Sequence, residues 1–323
     1  MVSFGPTNLL DQVRSSCARV TETARFVTIN QSAIAQYAAT LPLELIQQPE
    51  HDAASHYLGH GADTASFFVI LDSINFGSGY FPHLRKRPGM SGYFTMASSL
   101  NDHFRSRGAM TAETLIDITP AFCVNVFGQD HANRVVGELM TLFANALNAL
   151  GRLLLSEYQG SFVNLIEAAN KSAETLARLL SAMPYFRDVE RYGDYDVSFY
   201  KRAQLMSADL ALAFGHAGYG EFSDLDELTI FADNLVPHVL RMDGILKYDH
   251  DLAARIDAEA LIPPGSPEEI EIRASALHTV ELLTRQLGRK VSAMQLDYLL
   301  WNRGQQPYYK KTKPRHRART VFY

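Results

Sequence analysis

The chain has 323 residues, a net charge of −5, 47% apolar residues and 20% charged ones. This is ordinary globular composition, with enough chain for a large core or two joined lobes. The acidic balance argues against a broad face that coats nucleic acid. Cys17 and Cys123 are far apart and form no CxxC pair, which suggests a reducing compartment without disulfides or a thiolate metal site. The start, MVSFGPTNLLDQV, lacks the basic and apolar regions of a signal peptide, and no apolar stretch approaches the ~20 residues needed to span a bilayer. The expectation is a soluble, cytoplasmic protein with no membrane partner.

Helical spacing dominates, so the predicted fold class is mostly α. Residues 9–24 and 30–41 read as amphipathic helices, and 64–76, TASFFVILDSINF, as a buried helix or strand. Gly77, Gly79, Pro82, Pro88 and Gly89 mark a loop that carries Arg85, Lys86 and Arg87. Helices are predicted over 93–105, 111–118 and 132–158, and from Gly160 up to Pro184. Residues 188–198 read as a polar, aromatic connector, followed by helices over 199–214 and 249–258. In IPPGSPEE, Ser266, Pro267 and two acidic residues signal a helix start, with the helix running to about Leu287. The last helix spans 292–301, and the basic tail ends in the β-prone TVFY. Two lobes, 1–130 and 131–323, are the expected division.

Chemistry is sought first at Asp233, in LTIFADNLVPHVLR, where Phe231, Ala232, Val236 and Val239 surround a carboxylate. A carboxylate in apolar company needs compensation, and Pro237 places it near a helix start, where a capping role is the plain alternative. Lys201, in SFYKRAQ, is a cation that can hold an anionic group or tune that carboxylate, although the spacing does not show contact. Asp72 and Asn75 are three apart and share a face if helical. In the tail KKTKPRHRAR, Arg317 and Arg319 flank Ala318 beyond His316; in an extended segment they point the same way, which suits a phosphate fork, against the alternative of a solvated or RNA-touching run. His56 and His60 have the spacing of a helical metal pair but lack the adjacent Glu of HExxH, so no metal is expected.

ILDSINF (70–76), SGYF (91–94), SFVNLIEAANKSA (161–173), VSFYKRAQ (197–204), FADNLVP (231–237), EIEIRA (269–274), LDYLLW (296–301) and HRARTVFY (316–323) occur in this order. Together they resemble the queuosine salvage protein family, the queuosine 5′-phosphate N-glycosylases, from about residue 65 to the end. The resemblance implies a mostly helical, two-lobed fold like the helical DNA glycosylases, with few short strands. It implies hydrolysis of the N-glycosidic bond of queuosine 5′-monophosphate to release queuine for tRNA modification, with no metal or organic cofactor and no stable nucleic-acid complex. The family's catalytic aspartate falls on Asp233 and its lysine on Lys201. For the base, Asp72, Asn75, Phe76 and His238 are the candidates; for the phosphate, Lys201, Arg317, Arg319 and His316.

The sequence departs from the family in GSGYF at 77–81, where an aromatic pair including Trp is usual, and in Phe94, Asn234, Leu235, His238 and Asn302. These departures bear on the base accepted rather than on the reaction. The alternatives are a nucleic-acid glycosylase or tRNA-binding helical protein, a hydrolase of a related deazapurine nucleotide, and a non-catalytic interaction protein.

Overall fold

Ten consecutive positions of one helix, Thr64 through Ser73 of Ala62–Ser73, are buried, which is what a stretch apolar on every side requires. In the computed structural model, which describes residues 8–46 and 50–323, this helix packs against Gly92–Arg107, Arg134–Glu157, Phe162–Glu167 and Lys201–Ala213. Residues 1–7, the beginning of the N-terminal stretch read above, lie outside the described residues, as do 47–49. A second group of elements surrounds Pro267–Gln286, which meets Leu9–Thr23, the strand Val27–Ile29, Val236–Met242 and Ala293–Gly304. One apolar cluster runs through both groups, from Leu9 to Tyr309.

The fold is mostly α, with short antiparallel pairs: Val27–Ile29 against Leu246–Tyr248, and Val189–Tyr192 against Tyr195–Ser198. Helix starts follow their caps. The Ser266 hydroxyl accepts the Glu269 N–H, with Pro267 in the first turn, as read from IPPGSPEE. Ser292 and Gln295 complete a capping box at Ala293–Gly304. Against the sequence expectation that no apolar stretch approaches spanning length, Arg134–Glu157 is long and apolar enough to cross a membrane, but half of its most apolar window is buried, and it packs on Ala112–Ile116 and Pro120–Val126.

Besides the strands Val27–Ile29 and Leu246–Tyr248 and the short helix Pro307–Lys311, which the sequence reading lacks, three elements differ from it. Residues 160–184 form two helices, Phe162–Glu167 and Ala173–Leu180, because Asn170 and Lys171 take positive φ between them. The connector 188–198 is a β-hairpin turning at Gly193, φ 59°. Pro120–Val126 is an additional helix, capped by Thr119.

After Pro307–Lys311 the tail crosses back over both groups. The Ile262 N–H donates to the Arg317 carbonyl at 2.8 Å, and the Gly77 N–H donates to Tyr323 O at 2.9 Å. Along it His316, Ala318 and Thr320 are buried while Arg315, Arg317 and Arg319 are more exposed, the alternation of an extended segment. The TVFY end nevertheless joins no sheet. Gly79 is required by this crossing: a Cβ there would collide with the Ala318 carbonyl. Gly79→Ala is therefore expected to cost about 1–3 kcal/mol by overpacking and to make the tail protease-sensitive; a denaturation midpoint unchanged from wild type would show that the tail is not seated on this loop.

Candidate active site

The site is assembled around a buried ion pair. Arg273 and Asp188 are almost fully enclosed and pair through two hydrogen bonds, 2.9 and 2.6 Å. The remaining bonding capacity of both residues holds the site's two central segments. Arg273 Nε donates to the Ala232 carbonyl at 3.0 Å, next to Asp233. Asp188 Oδ2 accepts the Lys201 N–H at 3.2 Å, at the first residue of Lys201–Ala213. The preceding residue, Tyr200, takes a left-handed conformation (φ 49°) that turns the chain into this helix. The guanidinium of Arg273 is stacked 3.9 Å from the Phe199 ring and 4.7 Å from the Tyr323 ring.

Asp233 lies in a bend before Val236–Met242 and accepts the Leu235 N–H through Oδ1 at 2.7 Å. Its neighbour Asn234 donates to the Ser78 hydroxyl at 3.1 Å, tying the bend to the 77–79 loop. The structure brings Lys201 near this carboxylate. Burial lowers the Lys201 pKa, and Asp233 is the strongest group opposing that, followed by Asp72 and Asp297. The Lys201 amine makes no hydrogen bond or ion pair with any described residue. A buried amine that feels several carboxylates but bonds none of them keeps its hydrogen-bonding capacity for a ligand.

Three carboxyls around it are pushed toward their protonated forms. Asp72, on Ala62–Ser73, and Asp209, on Lys201–Ala213, are hydrogen-bonded carboxyl to carboxyl. Burial pushes both up, Asp209 to about 7 and Asp72 well above the carboxylate range, so they share a proton near neutrality. That proton accounts for Asp72 Oδ2, which otherwise lacks a donor. Burial and then the Asp233 charge push Asp297 to about 8.

The remaining predicted residues are placed as follows. Asn75 donates to Asp72 Oδ1 at a long 3.5 Å, so this pair shares a polar face. Phe76 is taken up by the core, edge-on to Phe143 and beneath the Arg202 guanidinium. His238 is buried, its Nε2 bonded to the Tyr309 carbonyl at 2.8 Å. His316 is buried against the Tyr323 hydroxyl and pushed down to about 3 by burial, so it carries no charge at neutral pH. Arg317 pairs with Glu259 at 3.0 Å, and Arg319 approaches Glu138 at 3.7 Å. His56 bonds the Tyr93 hydroxyl and His60 stacks on Tyr57.

The sequence reading passed over Arg315. It keeps contact with solvent, yet protein surrounds it closely enough to lower its pKa, with Asp233 the main opposing charge. Its guanidinium makes no hydrogen bond or ion pair with any described residue. The alternation that singled out Arg317 and Arg319, carried one step back, reaches it. Arg273 was also missed; its signal was a cation interleaved with Glu269 and Glu271 in a helix whose polar and apolar positions alike are buried.

These protonation states set the pH dependence of stability. Asp209 and Asp297 hold their protons more tightly folded than unfolded, so their contribution is complete below the ordinary carboxylate range and is lost as pH rises through about 7 and about 8. His51 and His56, pushed down to about 4 by burial, act oppositely: their contribution is complete above the ordinary histidine value and is lost as pH falls toward 4. The melting temperature is expected to peak near neutrality and to fall on both sides, with Asp209→Asn flattening the alkaline side. A melting temperature that climbs steadily into the alkaline range would contradict these assignments.

Comparison with known proteins places this geometry. The queuosine salvage protein family matches residues 55–323. A Sphaerobacter thermophilus protein named queuosine 5′-phosphate N-glycosylase/hydrolase is 36% identical over 321 residues, covering 96% of this chain and 97% of that one. Proteins of the same name from Dictyostelium discoideum and Mus musculus are 32% and 28% identical, covering 80% and 96% of this chain and 78% and 98% of their own. With the match spanning the Asp72, Lys201, Asp233, Arg273 and Asp297 segments alike, the chain belongs to the queuosine salvage protein family.

Proposed function

We propose that the protein hydrolyses the N-glycosidic bond of queuosine 5′-monophosphate and releases queuine. The observation that carries this reading is that two cations, Lys201 and Arg315, both feel Asp233 as their main opposing charge yet pair with no described residue, in a chain whose relatives bear the name of that activity.

Breaking a C1′–N bond builds positive charge on the ribose, as in glycoside hydrolysis. A fixed carboxylate beside the ring stabilises that charge most where water is excluded. Asp233 supplies it: its bend is anchored through the Leu235 N–H, the Ala232 carbonyl and Asn234, so the carboxylate has little freedom to reorient. The 5′-phosphate carries close to two negative charges and calls for directional cationic donors. Arg315 and Lys201 are unpaired and electrostatically coupled to Asp233, whereas Arg317 and Arg319 already face Glu259 and Glu138. We therefore assign the phosphate to Arg315 and Lys201, with Arg317 and Arg319 flanking. The polar face of Asp72 and Asn75, also coupled to Lys201, is assigned to the hydrogen-bonding base.

Incubation with the 5′-nucleotide and detection of free queuine by mass spectrometry tests the reaction; folded protein that releases none would refute it. Asp233→Asn keeps an acceptor for the Leu235 N–H and removes the charge. It is expected to slow release by about 100-fold or more while the melting temperature holds, whereas an active but unstable variant would make Asp233 a structural cap. Arg315→Ala should erase most of the preference for nucleotide over nucleoside and leave nucleoside cleavage nearly unchanged. If the preference survives it and vanishes in Arg317→Ala, the phosphate sits on the outer arginine instead.

A further inference from the structure

The departing base needs a proton as well as a stabilised sugar. Heterolysis leaves the C1′–N electron pair on the base, and a 7-deazapurine has carbon at the position where a purine is protonated to ease departure. A neutral acid held at the site at working pH relieves this. Asp297 has the geometry for that task. It projects from Ala293–Gly304 and is 4% exposed. Its Oδ1 accepts the Phe231 N–H at 3.0 Å, two residues before Asp233. Its Oδ2 has no hydrogen-bond partner among the described residues.

The charged and titratable groups facing Asp297 are few. Asp233 lies in the bend, Lys201 reaches in from Lys201–Ala213, and Tyr298 is its neighbour on its own helix. Arg273, from Pro267–Gln286, grips the same bend through the Ala232 carbonyl. Burial and the Asp233 charge hold the proton on Asp297 to about pH 8, with Lys201 and the Phe231 N–H opposing. A carboxyl that keeps its proton to about pH 8 beside a second carboxyl suits the division into an acid and a charge stabiliser.

We propose that Asp297 is the general acid of the reaction, its carboxyl proton passing to the base as the C1′–N bond breaks while Asp233 faces the ribose. This rests on the N-glycosidase reading above. The electron pair of the broken bond leaves with the base, which takes the Asp297 proton. Water adds to C1′ and gives its proton to Asp233; loss of that proton to solvent and uptake of one by Asp297 restore both carboxyls. The balance is nucleotide and water in, free base and ribose 5-phosphate out.

Asp297→Asn is nearly isosteric, and its amide oxygen can still accept the Phe231 N–H, so a purely structural role survives it. In single-turnover assays the variant should release queuine about 100-fold or more slowly than wild type. It should also lack the alkaline limb near pH 8, through which wild-type activity falls as the acid form disappears. On an aryl riboside 5-phosphate whose nitrophenolate leaves without a proton, variant and wild type should match. Equal losses on both substrates, or a variant that keeps the wild-type rate and limb, would overturn the assignment. The wild-type pH profile decides if the variant does not fold or the aryl substrate is not accepted: activity undiminished across the alkaline range would overturn it as well. A wild type that releases no queuine at any pH removes the N-glycosidase reading itself, whereas an active wild type with an indifferent Asp297→Asn removes only the acid.

Discussion

The ion pair between Arg273 and Asp188 is the constraint on which the rest of the site depends. Buried ion pairs add little net stability, because desolvating both charges offsets their attraction. What this pair contributes is position. Its two-pronged geometry leaves Arg273 Nε for the Ala232 carbonyl and leaves Asp188 able to accept the Lys201 N–H. One contact therefore fixes three segments distant in sequence: the hairpin entry, the start of the Lys201 helix and the Asp233 bend. Removing either partner would strand the other charge in the core, which is why the penalty of such a change exceeds any benefit the intact pair confers.

The same economy of buried polar groups runs through the molecule. Arg202 is enclosed yet satisfied by the carbonyls of Asp72, Ser73, Tyr185 and Val321, so it ties the end of the central helix to the tail. Glu271 accepts three successive backbone N–H groups, those of Arg25, Phe26 and Val27, and the Tyr192 hydroxyl. Set against these groups, each held by several partners, the unpaired Lys201 amine and Arg315 guanidinium stand out. A cation that bonds no described residue and lies beside a carboxylate marks where the substrate completes the bonding.

Helix existence was legible wherever periodicity or composition was strong. TASFFVILDS could only be buried, and Ser266-Pro267 could only begin a helix. The break at Asn170 and Lys171 was not legible, because neither Gly nor Pro announces it and the positive φ values come from the packing. The hairpin at 189–198 was readable from Gly193-Asp194 between aromatic residues, but strands of four residues give periodicity little to act on. Lys201 and Asp233 were paired by chemical plausibility and by resemblance, since no local pattern links residues joined through a third segment. Choosing Arg317 and Arg319 over Arg315 followed from reading alternation without knowing that Glu259 and Glu138 await the outer two.

A crystal structure of Asp233→Asn with queuosine 5′-monophosphate bound tests most directly whether Asp233, Lys201 and Arg315 serve one nucleotide. The account predicts the ribose C1′ in van der Waals contact with residue 233, the phosphate oxygens on Arg315 and the Lys201 amine, and the base toward Asp72 and Asn75. A nucleotide bound away from residue 233, or a phosphate held by Arg317 and Arg319 with Arg315 left in solvent, would contradict it.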